Sequence, residues 1–389
     1  MMEFKTLKQI ATLIRTGKTP PTKEAQYFDG NINWYGPPDL GNGKFLGDAK
    51  RTISVKAIKE KKAIEFPANT LLIGCIGDIG KLGITTNICS SNQQLTGILP
   101  NEQADVNYLY YWFRHSKQLL ESYANKAVVP ILNNGTLEKI PIPLPPLEQQ
   151  KKIAAILDAA DAYRQKTKEL IAKYDELTQS LFLDMFGDPV KNEKGWEKKD
   201  LKEVCTKITD GTHDTPKRLL SGIKFITGKH IRPFEIDYLN SDYVTEEVHK
   251  EIYKRCNPEF GDILYTNIGV NFATAAMNTV DYEFSMKNVA LLKYKRDILN
   301  GRFLESILND QFFKDRLKMA FGIGGAQQFL SLSNIKSITV LCPPLSLQNQ
   351  FAERVQAIEV QKAQAQASLV KAEELFNSLL QKAFNGEIV

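Results

Sequence analysis

The sequence has few cysteines, and their arrangement is that of neither a metal site nor a disulfide framework. Its 389 residues include five, at Cys75, Cys89, Cys205, Cys256 and Cys342. No CxxC pair occurs among them, and an odd number cannot pair completely. The spacing therefore predicts no zinc site and no disulfide-stabilised fold, and it favours a reducing compartment.

The sequence also lacks an apolar run long enough to cross a bilayer, which needs about 20 residues. Near the N-terminus, Lys5 and Lys8 lie among polar residues, and no apolar segment of the signal-peptide type follows them. We therefore expect a cytoplasmic protein without a membrane partner.

A large excess of charge of one sign is missing, because the formal net charge is only +5. Residues 1–145 carry 17 Lys and Arg against 12 Asp and Glu, and residues 188–342 carry 23 against 21. Residues 146–187 and 343–389 each have one more acidic than basic residue. The small positive excess favours nucleic-acid binding only slightly, and it lies outside the two acidic segments.

Nucleotide-binding and methyl-transfer motifs are missing as well. Gly17-Lys18-Thr19 looks like the end of a P-loop, but the glycine required five positions earlier is Thr12. An adenine methyltransferase would need an Asn/Asp-Pro-Pro-aromatic loop, and the double prolines at 37–38, 145–146 and 343–344 do not fit it. The sequence therefore argues against both kinds of enzyme.

What the sequence does contain is an internal duplication. Pro-Pro-Leu at 145–147 recurs at 343–345, and the displacement of 198 positions continues without a gap. Gln150 recurs as Gln348, and Ser180-Leu181 recurs as Ser378-Leu379. A register kept this long indicates two copies of one unit, each a globular block followed by a long helix, rather than a solenoid of short repeats.

Each double proline is followed by a helical pattern, because apolar residues recur every three or four positions. The predicted packing seam of the first helix consists of Ile153, Ile156, Ala160, Tyr163, Thr167, Leu170, Tyr174, Leu177 and Leu181. The second seam, from Phe351 to Leu380, is thinner and richer in alanine. We expect the helices to pack antiparallel, since the first must run towards the second block and the second must return. The alternative is two unrelated helices on separate cores.

The blocks before the helices are predicted to be β-rich. Short aromatic and β-branched segments alternate with glycine and asparagine turns, and the stretch from Ala68 to Gly77 parallels that from Phe260 to Gly269. The fold class is therefore α+β, with two β-rich domains separated by two long antiparallel helices in a pseudo-two-fold repeat. We predict domains at 1–145 and 188–342, with helical spacers at 146–187 and 343–389.

This order of parts resembles the specificity subunit of type I restriction-modification systems, and the resemblance covers the full chain. Its most specific motif is the Pro-Pro-Leu-x-x-Gln entry into a long helix, present in PPLEQQKKIAAILDAAD and again in PPLSLQNQF. The resemblance implies two target recognition domains, each reading one half of a bipartite DNA sequence. The second copy has Ser346 and Asn349 where the first has Glu148 and Lys151, which leaves individual helix contacts open.

The resemblance also implies the partners. Two methyltransferase subunits would carry S-adenosylmethionine, and restriction subunits would hydrolyse ATP with Mg²⁺. This chain itself is then expected to have no catalytic residue, no metal and no cofactor. Its ligand would be double-stranded DNA.

Candidate DNA contacts follow from loop position and side-chain chemistry, because amides and guanidinium groups pair with base edges and lysines hold phosphates. In the first block they are Lys18, Thr19, Tyr35, Lys44, Lys81, Gln93, Gln94, Asn133 and Asn134. In the second block they are Thr212, His213, Lys217, Lys229, His230, Arg232, Asn267, Lys287, Asn288, Gln327 and Gln328. The amide residues beside glycines are equally typical of ordinary turns.

Two other classes of function stay open at this point. Pro38-Asp39 followed by Asp48-Ala49-Lys50 would suit a Mg²⁺-dependent nuclease, although the second block has no matching set. A scaffold that only assembles partners through its helices is the other alternative. Nuclease assays with Mg²⁺ and DNA-binding assays with and without methyltransferase distinguish the three.

Overall fold

The computed structural model describes residues 3–125, 128–269, 271–323 and 329–387. The chain forms two compact units, of which unit 1 is Met1–Glu169 with Gln366–Val389 and unit 2 is Leu170–Ala365. The units divide both long helices, so the domain boundaries drawn from the sequence stay predictions. In the part of the chain that the structure describes, no helix is long and apolar enough to span a membrane.

Unit 1 contains short strands and helices followed by the start of a long helix. Its strands are β1 (Phe4–Thr6), β2 (Ala11–Thr16), β3 (Phe28–Tyr35), β4 (Thr52–Ile53), β5 (Leu71–Gly74), β6 (Leu82–Ile84), β7 (Cys89–Ser91), β8 (Leu95–Pro100) and β9 (Pro141–Pro143). Its helices are α1 (Leu7–Ile10), α2 (Val55–Lys59), α3 (Val106–His115), α4 (Lys117–Tyr123) and α5 (Asn134–Leu137), and α6 (Leu147–Phe186) begins in it.

Unit 2 repeats this plan. Its strands are β10 (Lys198–Asp200), β11 (Cys205–Asp210), β12 (Ile223–Thr227), β13 (Ile231–Arg232), β14 (Glu235–Ile236), β15 (Asp242–Val244), β16 (Ile263–Thr266), β17 (Ala275–Met277), β18 (Ser285–Lys287), β19 (Val289–Tyr294) and β20 (Thr339–Leu341). Its helices are α7 (Leu201–Val204), α8 (Glu246–Arg255), α9 (Gly301–Asn309), α10 (Gln311–Ala320) and α11 (Leu332–Lys336), and α12 (Leu345–Phe384) begins in it.

The four-stranded and three-stranded sheets of the two units have the same topology, and unit 2 has a further two-stranded sheet, β13-β14. Unit 1 has a four-stranded sheet in the order β2-β8-β5-β6, and unit 2 has one in the order β11-β19-β16-β17. A three-stranded sheet in each unit, β4-β3-β7 or β15-β12-β18, contains one antiparallel and one parallel pair. The expected α+β class and the internal duplication are therefore confirmed.

The core of each unit joins its four-stranded sheet to the long helices. In unit 1 the aromatic run Tyr108–Phe113 of α3 is buried, and it packs in one cluster with Leu157 of α6 and Phe376 of α12. In unit 2, Phe303 of α9 packs with Phe182 of α6 and Phe351 of α12. Aromatic burial therefore fixes each β-rich block onto the helices that accompany it.

Each unit shows the two long helices running in opposite directions. In unit 1, Arg164 of α6 meets Phe376 of α12, and four residues later Lys168 pairs with Glu373 at 3.1 Å. In unit 2, Asp175 pairs with Lys362 at 2.5 Å, and further along α6 Phe182 contacts Phe351. Residue numbers rise on one helix as they fall on the other, which confirms the antiparallel prediction.

The predicted seam of α6 was only partly right. Ile153 and Thr167 are buried as expected, together with Leu157, which the seam omitted. Four predicted members, Ile156, Tyr163, Leu170 and Leu177, are between 41% and 55% exposed. Apolar residues at a spacing of seven fit more than one stripe on a helix, and tertiary packing rather than periodicity decides which stripe is buried.

A buried glutamine attaches each long helix to its own β-rich block. The amide of Gln150 accepts a hydrogen bond from the Asp105 N–H at 2.9 Å and donates to the carbonyls of Gln103 at 2.9 Å and Pro145 at 2.8 Å. Gln348 makes the same three contacts, with the Asn300 N–H and the Ile298 and Pro343 carbonyls. The repeated Pro-Pro-Leu-x-x-Gln motif therefore encodes a clamp.

Candidate nucleic-acid interface

Six of the candidates in unit 1 cluster at one end of the four-stranded sheet. Lys18 and Thr19 follow β2, Gln93 and Gln94 precede β8, and these strands are antiparallel neighbours, so the two loops meet. The Thr19 hydroxyl donates to Oε1 of Gln93. Asn133 caps α5 next to them, and Oδ1 of Asn134 accepts hydrogen bonds from Thr16 at 3.0 Å and Thr96 at 3.1 Å. The sheet therefore brings together loops that are far apart in sequence.

Two other candidates in unit 1 are enclosed, contrary to a surface role. Tyr35 is 3% exposed, its hydroxyl donates to the Gly47 carbonyl at 2.7 Å, and burial raises the pKa of its phenol to about 12. The side chain of Lys44 is 8% exposed, and its ammonium lies 2.5 Å from Asp158 of α6 and 4.9 Å from the ring centre of Tyr111. Lys44 thus joins the block to the helix, and a DNA contact would require breaking this ion pair.

The corresponding loops of unit 2 meet in the same way. His213, in the loop after β11, places Nε2 at 2.9 Å from Asp210 and Nδ1 at 3.0 Å from Oδ1 of Asn288. The Lys287 ammonium donates to Thr215 in that loop. Thr212 and Lys217 lie in the loop after β11. This end of the four-stranded sheet of unit 2 corresponds to the end that carries the loop cluster in unit 1. The two units therefore present equivalent loop clusters with different side chains.

Sequence reasoning missed two residues that hold this loop. Asp210 is 5% exposed, and Arg255 of α8 donates both to its carboxylate and to the Gly211 carbonyl at 3.0 Å. Both residues line a cleft of about 460 Å³ beside the loop. Asp210 ends β11 just before Gly211, but nothing in the sequence pairs it with an arginine 45 positions away.

The remaining candidates in unit 2 are mostly engaged or enclosed. His230 is 3% exposed, its Nδ1 accepts from the Thr227 N–H at 2.9 Å, and desolvation lowers its pKa, so it is not a surface group. Asn267 is 2% exposed. Lys229 pairs with Asp242 at 3.2 Å, whereas Arg232 is only loosely paired, 3.9 Å from Asp237. Gln327 and Gln328 lie outside the described residues.

The first carboxylate considered for a nuclease, that of Asp39, has a structural role. The Asp39 carboxylate accepts hydrogen bonds from the backbone N–H groups of Gly36 at 2.8 Å and Lys50 at 3.2 Å. Within the described ranges, no group of three or more His, Cys, Asp and Glu side chains could hold a metal ion. Asp39 therefore closes a turn, and nothing in this geometry favours the nuclease alternative.

Comparison with known proteins agrees with the duplicated architecture. The family model described as "Type I restriction modification DNA specificity domain" matches twice, at residues 1–176 and 193–367. The MjaIX specificity subunit of Methanocaldococcus jannaschii is 27% identical over 412 aligned positions, covering 99% of this chain and 93% of that protein. The EcoKI specificity subunit of Escherichia coli K12 is 21% identical, with coverage of 90% and 81%.

Solved structures show the same fold. The S subunit of a type I restriction-modification system from M. genitalium superposes with a TM-score of 0.60 at 16% identity, over 99% of this chain and 96% of that one. A chain from a structural study of type I complex assembly gives a TM-score of 0.61, also at 16% identity, over 99% and 98%. With one family match on each copy of the duplicated module and a shared fold along nearly its whole length, the chain belongs to the type I restriction-modification DNA specificity family.

Proposed function

We propose that each β-rich block of this chain reads one half of a bipartite DNA target within a type I restriction-modification complex. The proposal rests on the two loop clusters. They lie at corresponding ends of the corresponding four-stranded sheets of the two units, but their side chains differ. Amide and hydroxyl groups there suit base edges, and neighbouring lysines suit phosphates. Recognition of two different half-sites requires different side chains at the corresponding loop positions of the two units.

Mapping of methylated adenines tests this proposal. The chain is expressed with its methyltransferase, and every modified position in the DNA is located. A split, asymmetric motif is the expected result. A continuous motif, or modification without any sequence preference, would contradict the assignment of one half-site to each block.

The chain itself is proposed to be non-catalytic and free of cofactors. S-adenosylmethionine would be bound by two methyltransferase subunits, and ATP and Mg²⁺ by restriction subunits. The family supports this division of labour, because it is described as a DNA specificity domain and its relatives are called specificity subunits. Acting on DNA with these partners places the proposed site of action in the cytoplasm.

The exposed apolar residues of α6 are proposed to dock the methyltransferase. Ile156, Tyr163, Leu170 and Leu177 recur every seven positions and form one stripe along the helix. We predict that Leu170→Lys weakens methyltransferase binding about tenfold or more, because a desolvated lysine replaces an apolar contact. Pull-down and calorimetric titration with the purified methyltransferase measure the loss.

The matched control for the stripe is Ala172→Lys, which adds the same charge to an exposed position nearly opposite on the same helix. It should bind the methyltransferase as the unmodified chain does. Equal binding by both variants would show that the stripe does not dock this partner.

The long helices are proposed to set the gap between half-sites. Each has 40 residues. Deleting the matched heptads 168–174 and 366–372 should shorten the paired helices by about 10 Å, or roughly three base pairs, while it keeps the packing period. Methylation mapping should then show a shorter unspecified gap between unchanged half-sites. An unchanged gap would refute this role, and replacing the same heptads by others of equal length is the control.

A further inference from the structure

Unit 1 contains a cleft of about 490 Å³ where α3 and α6 meet two loops of the β-rich block. Its wall includes the loop at 41–43, Lys81, Arg114 of α3, and Arg164 and Lys168 of α6. Among these lining residues only Lys81 belongs to the candidate DNA contacts. The cleft is thus distinct from the loop cluster at the end of the sheet.

Two arginines in this cleft share one carboxylate. Asp161 Oδ1 lies 2.6 Å from an Arg164 nitrogen and 3.6 Å from an Arg114 nitrogen. Both guanidinium groups also face the Phe376 ring, at 4.7 and 4.6 Å from its centre. The side chains of Arg164 and Arg114 are only 12% and 28% exposed. Because one carboxylate neutralises only one of the two guanidinium groups, this cluster keeps one partly desolvated positive charge.

The rest of the wall adds hydrogen-bond donors. The backbone N–H groups of Gly41, Asn42 and Gly43 donate to no other described residue. Nε of Arg164 is buried and likewise has no partner there. Lys81 and Lys168 each contribute an ammonium group, and each lies 3.1 Å from one carboxylate. Backbone amides together with guanidinium groups form the donor set that binds phosphate oxygens.

The position of the cleft on α6 favours phosphate over an acidic segment of a partner protein. At about 100° per residue, Asp161 and Lys168 lie roughly 140–180° around the helix from Tyr163 and Leu170 of the apolar stripe, and Arg164 lies about 100–120° from them. A protein docked on the stripe therefore approaches α6 from a different side than the cleft, which is lined by loops of the β-rich block.

The second copy of the module does not repeat this set of charges. Glu359, Lys362 and Gln366 take the places of Asp161, Arg164 and Lys168. Glu359 pairs with Arg302 at 3.1 Å, and Lys362 pairs with Asp175. Two identical partner subunits would each need the same site on the chain. A set of charges present in one copy of the module alone does not suit such a pair of partners.

We propose that this cleft binds a phosphate group. The Arg114 and Arg164 guanidinium groups contact its oxygens, the amides of the 41–43 loop add donors, and Lys81 and Lys168 neutralise remaining charge. The phosphate can come from the backbone of duplex DNA or from a free nucleotide, since both present the same oxygens. The site does not depend on which DNA sequence the chain reads.

Calorimetric titration of the full chain with inorganic phosphate, adenosine diphosphate and short duplex DNA tests the site. Arg164→Gln removes one guanidinium group of α6, and Lys81→Gln removes an ammonium group that the β-rich block contributes at a partly exposed position. Lys166→Gln, an exposed cation of α6 outside the cleft, is the control. Each cleft variant should lose about tenfold in affinity for the phosphate ligand while the control keeps it.

The probes separate the sources of the phosphate. If adenosine diphosphate or inorganic phosphate binds and both cleft variants weaken this binding, the result supports a free nucleotide as the source of the phosphate. Loss confined to duplex DNA, with the slope of log affinity against log salt reduced by about 1 in each variant, supports a backbone phosphate. Unchanged affinity of both variants for every probe, no binding of any probe, or loss of methyltransferase binding alone would overturn the proposal. If methylation mapping contradicts the split motif while phosphate binding in the cleft is intact, only the proposed function fails.

Discussion

Replacing Gln150 by alanine is expected to destabilise the chain by about 3 kcal/mol, because it removes three hydrogen bonds that each contribute roughly 0.5–1.5 kcal/mol. Gln150 is fully buried, and its amide satisfies one backbone N–H and two backbone carbonyls. Alanine satisfies none of them. Urea denaturation followed by circular dichroism measures the change.

The duplication supplies an internal replicate of this experiment. Gln348→Ala removes the same three hydrogen bonds in unit 2, so the two variants should cost similar amounts. Gln179→Ala, at an exposed position of α6, is the control and should change stability by less than about 0.5 kcal/mol. A loss of stability no greater than that of the control would show that the clamp does not hold the helix to its block.

Replacing Arg302 by alanine is expected to have an equally large effect, about 3–5 kcal/mol, because it leaves a buried carboxylate without its partner. Glu305 of α9 is fully buried, its carboxylate accepts from the Met277 N–H at 2.8 Å, and Arg302 lies 2.9 Å from it. Arg302 also pairs with Glu359 of α12, so it connects α9 to the long helix. Urea denaturation at several pH values measures the cost.

The stability of the Arg302→Ala chain should depend on pH in a predictable direction. Burial already raises the pKa of Glu305, and losing Arg302 removes the main group that opposes this rise. A carboxyl group whose pKa is higher in the folded state favours folding while it is protonated, and that stability is lost as the pH rises through the folded pKa. The Arg302→Ala chain should therefore be closest to normal in acid and weakest at neutral pH. Adding Glu305→Gln should restore much of the loss, and equal destabilisation at all pH values would contradict this explanation.

Much of the architecture could be predicted because it depends on short-range pattern. The displacement between Gln150 and Gln348 reveals two copies, proline entries and helical periodicity locate α6 and α12, and connectivity requires an antiparallel pair. The structure confirms each of these points. The resemblance to the specificity family rests on the same motif, and the family matches bear it out.

The candidate site was less predictable. Thr19 and Gln93 were proposed separately from loop position, and the structure brings them together because antiparallel neighbouring strands place their connecting loops side by side. The same reasoning proposed Lys44 as a DNA contact, yet its side chain is largely enclosed and pairs with Asp158. The contribution of each candidate to DNA binding stays a prediction.

The sequence by itself determined the duplication, the two long helices and the fold class, since these follow from periodicity and repeated motifs read along one chain. Only the tertiary structure decided which stripe of α6 is buried, which cations are already paired, and that Arg114 and Arg164 share Asp161. The reason is physical. Burial and ion pairing depend on groups distant in sequence, and their partners become known only when the chain has folded.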